Sequence, residues 1–396
     1  MASTTVDPPE SRWIRASTPA ASRSAATTAA TSSTTNRSTR ASPIPLAAPV
    51  TTATLPFTSN GSSSPSGQPF DDRRAYVPGP LRTLTDVTDR RPPLTPDGYR
   101  RICGVALGLL AGIVVSGAAV RLTGSGLGCS DWPTCEQDQF VPEADLHGWI
   151  EFGNRLVTGL VSLAVVAAVL GSMARWPRRR DLLRWSWGLV GGVVGQVVLG
   201  GLVVLSHLNP WLVLGHFALS MVLVWNAVVL HHLAGDHVRP KVEVPDVVRR
   251  LTGALWGLAV VVLATGTLVT GSGPHAGSHD DPIPRLPFTV REVARVHGTS
   301  VVVLLGVVAA LVLTIRRHGA EASVRRAATW LVGVVAAQAA IGWTQYFTGV
   351  PVVLVGFHVA GATALWMVVV RLRLVAVDRR GPAEALGRGP DGVSPS

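Results

Sequence analysis

Charge is scarce in this chain: only 15% of its 396 residues are Asp, Glu, Lys or Arg, while 47% are hydrophobic. Cysteine is scarcer still. Cys103, Cys129 and Cys135 are the whole supply, so no second cysteine pair exists to complete a four-thiolate zinc site. Acids are outnumbered as well, with 24 Asp and Glu against 35 Lys and Arg and a net charge of +11. That excess sits in a basic tail and in short loops between apolar runs. It reflects membrane topology and does not argue for nucleic acid. Residues 1–98 lack apolar periodicity; they are rich in Ser, Thr, Ala, Pro and Arg. Such a stretch cannot bury enough surface to offset its chain entropy, and it reads as a disordered cytoplasmic tail. It has no apolar core of a secretory signal, although a transit peptide has similar composition.

What is abundant is long apolar runs. Eight of spanning length follow, at about 102–120, 149–174, 185–205, 211–233, 251–270, 293–315, 327–347 and 351–371. Buried helices of a soluble domain would need polar surface that this part of the chain does not have. The fold class is therefore an all-α polytopic membrane protein embedded in lipid. Arg175, Arg178, Arg179, Arg180 and Arg184 crowd one loop, Arg239, Lys241, Arg249 and Arg250 another, and Arg316, Arg317, Arg325 and Arg326 a third. The alternate loops hold few cations, so the Arg-rich side is cytoplasmic, and both termini with it. A cell (plasma) membrane location follows.

The chain also repeats itself. GQVVLGG and LGHF in one half match AQAAIGW and VGFH in the other. Gln196 precedes His216 by the same interval as Gln338 precedes His358, and Gly200 matches Gly342. Thr123-Gly124-Ser125-Gly126 matches Thr270-Gly271-Ser272-Gly273, and Asn154 precedes His216 by nearly the interval between His297 and His358. Four spans per half place both halves in the membrane in the same sense. The expectation is two parallel-repeat four-helix bundles with pseudo-twofold symmetry: 99–235, a cytoplasmic linker 236–250, 251–374, and a disordered tail 375–396.

Chemistry-bearing residues cluster at the outer ends of the even-numbered spans. Cys129 and Cys135 share an outer loop facing an oxidising compartment, where a disulfide is the natural reading; free thiols or half a zinc site are the alternatives. Glu151, Asn154 and Arg155 open span two. Glu151 and Arg155, four apart, are spaced for an ion pair, and equally Glu151 is a candidate functional acid. His216, His297 and His358 lie roughly 6–10 Å below the outer interface at about 1.5 Å per residue. A lone His on an apolar helix is usually a hydrogen-bonded core residue. A depth-matched pair across a four-helix bundle has the geometry of two axial ligands on one haem iron, whereas zinc or copper would need a third ligand nearby.

Taken together, VRLTGSGLGCSDWP, EFGNR, GQVVLGG with LGHF, TGSGPHAG, VHGTS and VGFH strongly resemble haem A synthase over about residues 100–372. The resemblance implies oxidation of the C8 methyl group of haem O to a formyl group, giving haem A for cytochrome oxidase. It implies a haem B cofactor on His297 and His358, and substrate haem in the N-terminal half at His216. Glu151 matches the family's essential acid, and Cys129 with Cys135 its outer-loop pair. The resemblance further implies homo-oligomers and association with the farnesyltransferase that makes haem O. One position departs: where the family has a second substrate-side His, this chain has Asn154. Bis-His ligation is impossible there, and His147, two turns earlier on nearly the same face, is the remaining imidazole.

Two other classes compete. A dihaem-type membrane b cytochrome would pass electrons without substrate chemistry and has no need of Glu151. A transporter on a parallel repeat would show helices broken at mid-membrane, whereas the landmarks here lie at the outer ends.

Overall fold

The computed structural model describes residues 94–136, 139–143, 145–235, 244–278 and 282–377. Eight helices run in chain order: α1 Pro96–Leu122, α2 Leu146–Ala174, α3 Arg180–Leu205, α4 Pro210–Ala234, α5 Asp246–Ser272, α6 Val290–His318, α7 Ala322–Phe347 and α8 Val352–Val377. All eight are long and apolar enough to cross a membrane. No strand occurs among the described residues. The all-helical, eight-span expectation therefore holds. The tails expected at 1–98 and 375–396 lie outside the described residues except at their inner edges, where α1 and α8 have claimed a few residues. Most of the 236–250 linker, and His279, also lie outside.

The helices overrun the apolar segments because polar caps extend them. Thr95 accepts a hydrogen bond from Gly98 N at 3.2 Å, and Pro96 and Asp97 open the first turn of α1. Asp145 caps α2 by accepting from Gly148 N at 2.8 Å. Thr289 and Glu292 form a capping box at the start of α6.

Each run of four helices closes as a ring of neighbours. α1 packs on α2 and α4, α3 on α2 and α4; α5 packs on α6 and α8, α7 on α6 and α8. The rings meet through α4 on α8, α1 on α8 and α4 on α5. Leu182, Leu189, Val165 and Leu230 are buried in the first ring. Leu255, Leu311, Leu331 and Leu372 are buried in the second, where Met221, Val224 and Val228 of α4 join them. Trp366 of α8 donates its Nε1–H to the Met221 carbonyl at 2.8 Å across that seam. Beside the two TGSG turns the rings are joined again. Gly126 N donates to the Gly277 carbonyl at 2.7 Å, and Arg121 donates to the Thr270 carbonyl at 3.2 Å.

Candidate functional site near the starts of the even-numbered helices

In the second ring the rings of His297 (α6) and His358 (α8) face each other with centroids 6.4 Å apart and planes at 79°. Two imidazoles sharing one metal, at about 2.0–2.1 Å per nitrogen, would put their ring centres about 6 Å apart. The observed spacing fits. No cluster of three or more His, Cys, Asp or Glu suited to a metal occurs among the described residues. Such a donor set suits a group needing two axial protein ligands more than it suits zinc.

The surroundings fix these imidazoles. The Thr265 hydroxyl on α5 sits 3.1 Å from His297 Nδ1 and donates its own proton to the Val261 carbonyl at 2.9 Å. It is thus left to accept from Nδ1–H, the tautomer in which Nε2 carries no proton. A Cβ at Gly266 would come 3.2 Å from His297 Cε1, closer than most side chains tolerate. Gln338 of α7 donates Nε2–H to the His358 carbonyl at 3.0 Å.

The first ring repeats most of this. Gln196 of α3 donates to the His216 carbonyl at 3.1 Å and to Ser220 Oγ at 2.6 Å. The helix-to-helix Gln–His bond therefore recurs, one per half. Gly200 makes room for the His216 ring: a Cβ there would lie 3.3 Å from Cε1. Asn154 of α2 accepts from the Ser116 hydroxyl of α1 at 2.7 Å.

The loop between α1 and α2 packs on the end of the first ring. Cys129 and Cys135 are joined in a disulfide and are buried, which settles the three alternatives in its favour. Glu151 is only 6% exposed. One carboxylate oxygen pairs with Arg155 at 2.7 Å and the other accepts from Cys129 N at 2.9 Å. Arg155 also donates to the carbonyls of Thr134 at 2.8 Å and Asp131 at 3.1 Å, and lies over the Trp132 ring. The expected ion pair thus exists and also anchors the loop to α2. Trp132 rests on Gly201, where a Cβ would stand 2.6 Å from the indole. His147 is engaged through Nδ1 with the buried Ser125 hydroxyl at 2.9 Å.

Sequence reasoning missed Ser116, Thr265, Trp132 and the separate tasks of Gly200 and Gly201. A signal existed for two of them. Ser116-Gly117 and Thr265-Gly266 each place a hydroxyl residue before a glycine, shortly upstream of a TGSG turn.

Comparison with known proteins shows the family. A family model described as cytochrome oxidase assembly protein, COX15-CtaA, matches residues 100–370. A Symbiobacterium thermophilum protein named heme A synthase is 32% identical over 259 residues, covering 61% of this chain and 82% of that one. One of the same name from Halalkalibacterium halodurans is 27% identical over 259 residues, covering 62% and 83%. With the Geobacillus kaustophilus heme A synthase the match is 30% over 133 residues, and spans 33% of this chain and 41% of that protein. The eight-helix chain described here, with imidazoles paired near the starts of α6 and α8, belongs to the haem A synthase family of cytochrome oxidase assembly proteins.

Proposed function

We propose that this chain is a haem A synthase, an oxidoreductase that converts the C8 methyl group of haem O to a formyl group. The observation that carries the reading is the unequal repeat. One half has two matched imidazoles. The other keeps His216, replaces the second imidazole with Asn154, and adds a buried carboxylate, Glu151, where the second half has Ala294. Two related bundles with different polar equipment suit a cofactor half and a reacting half.

His297 and His358 would hold haem B, the cofactor, and His216 the substrate haem. When bound, haem supplies one-electron redox chemistry that no side chain here can. The protein's own contribution is placement. Thr265 orients the His297 ring, Gln196 and Gln338 tie the backbone at His216 and His358 to the neighbouring helix, and Trp132 with the disulfide loop covers the end of the N-terminal half. Glu151 is the group able to accept a proton or to stabilise positive charge developing beside the porphyrin. A pseudo-twofold axis along the membrane normal, a plasma-membrane location with cytoplasmic termini, homo-oligomers and a supplying farnesyltransferase belong to the same proposal. The b-cytochrome alternative leaves Glu151 without a task in the reaction.

The test is expression beside a source of haem O, with haem analysis of the membranes. Haem A should form. Glu151→Ala should accumulate haem O or a hydroxylated product while haem B stays bound, and replacing His297 or His358 with Ala should remove the haem B signal. Normal haem A production by Glu151→Ala would reduce that residue to the loop anchor already described.

A further inference from the structure

Among the candidate ligand positions of the two halves, three carry an imidazole and one does not. In the second half a Thr265 hydroxyl on the first helix of the ring meets His297 on the next. In the first half the Ser116 hydroxyl meets Asn154 across the equivalent pair of helices, at 2.7 Å. His216 and His358, on the fourth helix of each ring, are tied alike by a glutamine to the carbonyl oxygen. Asn154 therefore stands, by sequence register and by its hydroxyl partner, where the other half presents an imidazole.

The Ser116 hydroxyl also lies 3.2 Å from the Ile113 carbonyl. Its shorter contact is to Asn154 Oδ1, so the proton goes there. That occupies the acceptor end of the amide and leaves Nδ2, which makes no hydrogen bond among the described residues. An amide nitrogen is a donor with no lone pair to give to iron. His147, seven residues earlier on α2 and so about 10 Å along the helix axis from Asn154, is off the register at which the other half presents its imidazole.

We infer that the N-terminal haem site is built for one protein ligand: His216 holds the iron, and Asn154, positioned by Ser116, presents an N–H donor to a small ligand in the sixth position. The inference rests on the reading that this half binds haem at all. Its chemical content is the difference between an electron-transfer haem and a ligand-binding one. A filled sixth position excludes small molecules, whereas an open one lined by a hydrogen-bond donor binds and polarises them. The ligand class is a water-sized or diatomic acceptor.

Carbon monoxide is the probe, added to the dithionite-reduced protein as purified with its haem. Carbon monoxide should shift part of the Soret band, and Asn154→His should abolish that shift by filling the open position. Asn154→Leu should keep the shift but raise the C–O stretching frequency, because the donor is gone; Ser116→Ala should move the stretch in the same direction by less. His216→Ala should lower haem content and remove the carbon monoxide signal together. If His216→Ala removes haem but the parent protein binds no carbon monoxide, the single-ligand inference is overturned and the N-terminal haem site stands. An unchanged C–O stretch in Asn154→Leu overturns the donor role. Unchanged haem content in His216→Ala overturns the site itself, and with it the reading on which the inference rests.

Discussion

The Glu151–Arg155 pair separates two roles that one substitution would confuse. Breaking a buried ion pair by removing one partner costs about 3–5 kcal/mol, because the other charge is left buried. Arg155→Ala and Glu151→Ala should therefore both lower the thermal unfolding midpoint of the detergent-solubilised protein. If Glu151 is also catalytic, Arg155→Ala should retain more haem A formation than Glu151→Ala at equal stability; equal losses would make the pair purely structural. Gly266 offers a sharper steric test. A valine there would push on His297, and Gly266→Val should lose haem B absorbance while the helical circular dichroism is kept. The imidazoles and glutamines were legible in the sequence because polar residues are rare in apolar runs and these recur in register. Ser116 and Thr265 were not, since hydroxyls in helices usually bond their own backbone. Which of them also reaches a neighbouring helix depends on packing. Trp132 on Gly201 was hidden for a related reason: it joins a loop to a helix far along the chain.

Helices in this chain are held by contacts on narrow faces. Leu311 of α6 and Leu331 of α7 are each 0% exposed, while much of both helices faces outward. Leu→Ala at such a site costs about 2–5 kcal/mol in transfer and cavity terms. Leu311→Ala or Leu331→Ala should lower the unfolding midpoint clearly, whereas Leu313→Ala, at an exposed position, should not. Thermal scans followed by tryptophan fluorescence would read this. The number and order of helices were legible because each apolar run is long and bounded either by charge or by a short turn with Pro, such as 206–210 and 348–351. Their ends were not: caps such as Thr95 and Asp145 continue the helix into polar sequence, which hydropathy alone counts as loop.

At the scale of the molecule, orientation is the property the Arg-rich loops dictate. A cysteine at Arg178, in the exposed segment between α2 and α3, should react with an impermeant maleimide only from the cytoplasmic side of oriented vesicles. One at His207, in the exposed turn between α3 and α4, should react only from the other side. Reversal of that pattern would invert the topology and put the disulfide in the reducing compartment, where it would not persist. The duplication itself was readable in the sequence; the seam was not, since Trp366 and Gly277 reveal their partners only when the rings meet. That seam has a consequence for how the molecule can be made. The rings are held together by the Trp366–Met221 bond, the Gly126–Gly277 bond, the Arg121–Thr270 bond and the apolar packing of α4 and α8. All of these are contacts between surfaces and owe nothing to chain continuity. Two genes, one ending after α4 and one starting before α5, should yield fragments that co-purify and regain activity together. Trp366→Phe in the second fragment should weaken that complementation before it harms the intact chain, in which tethering keeps the effective concentration high.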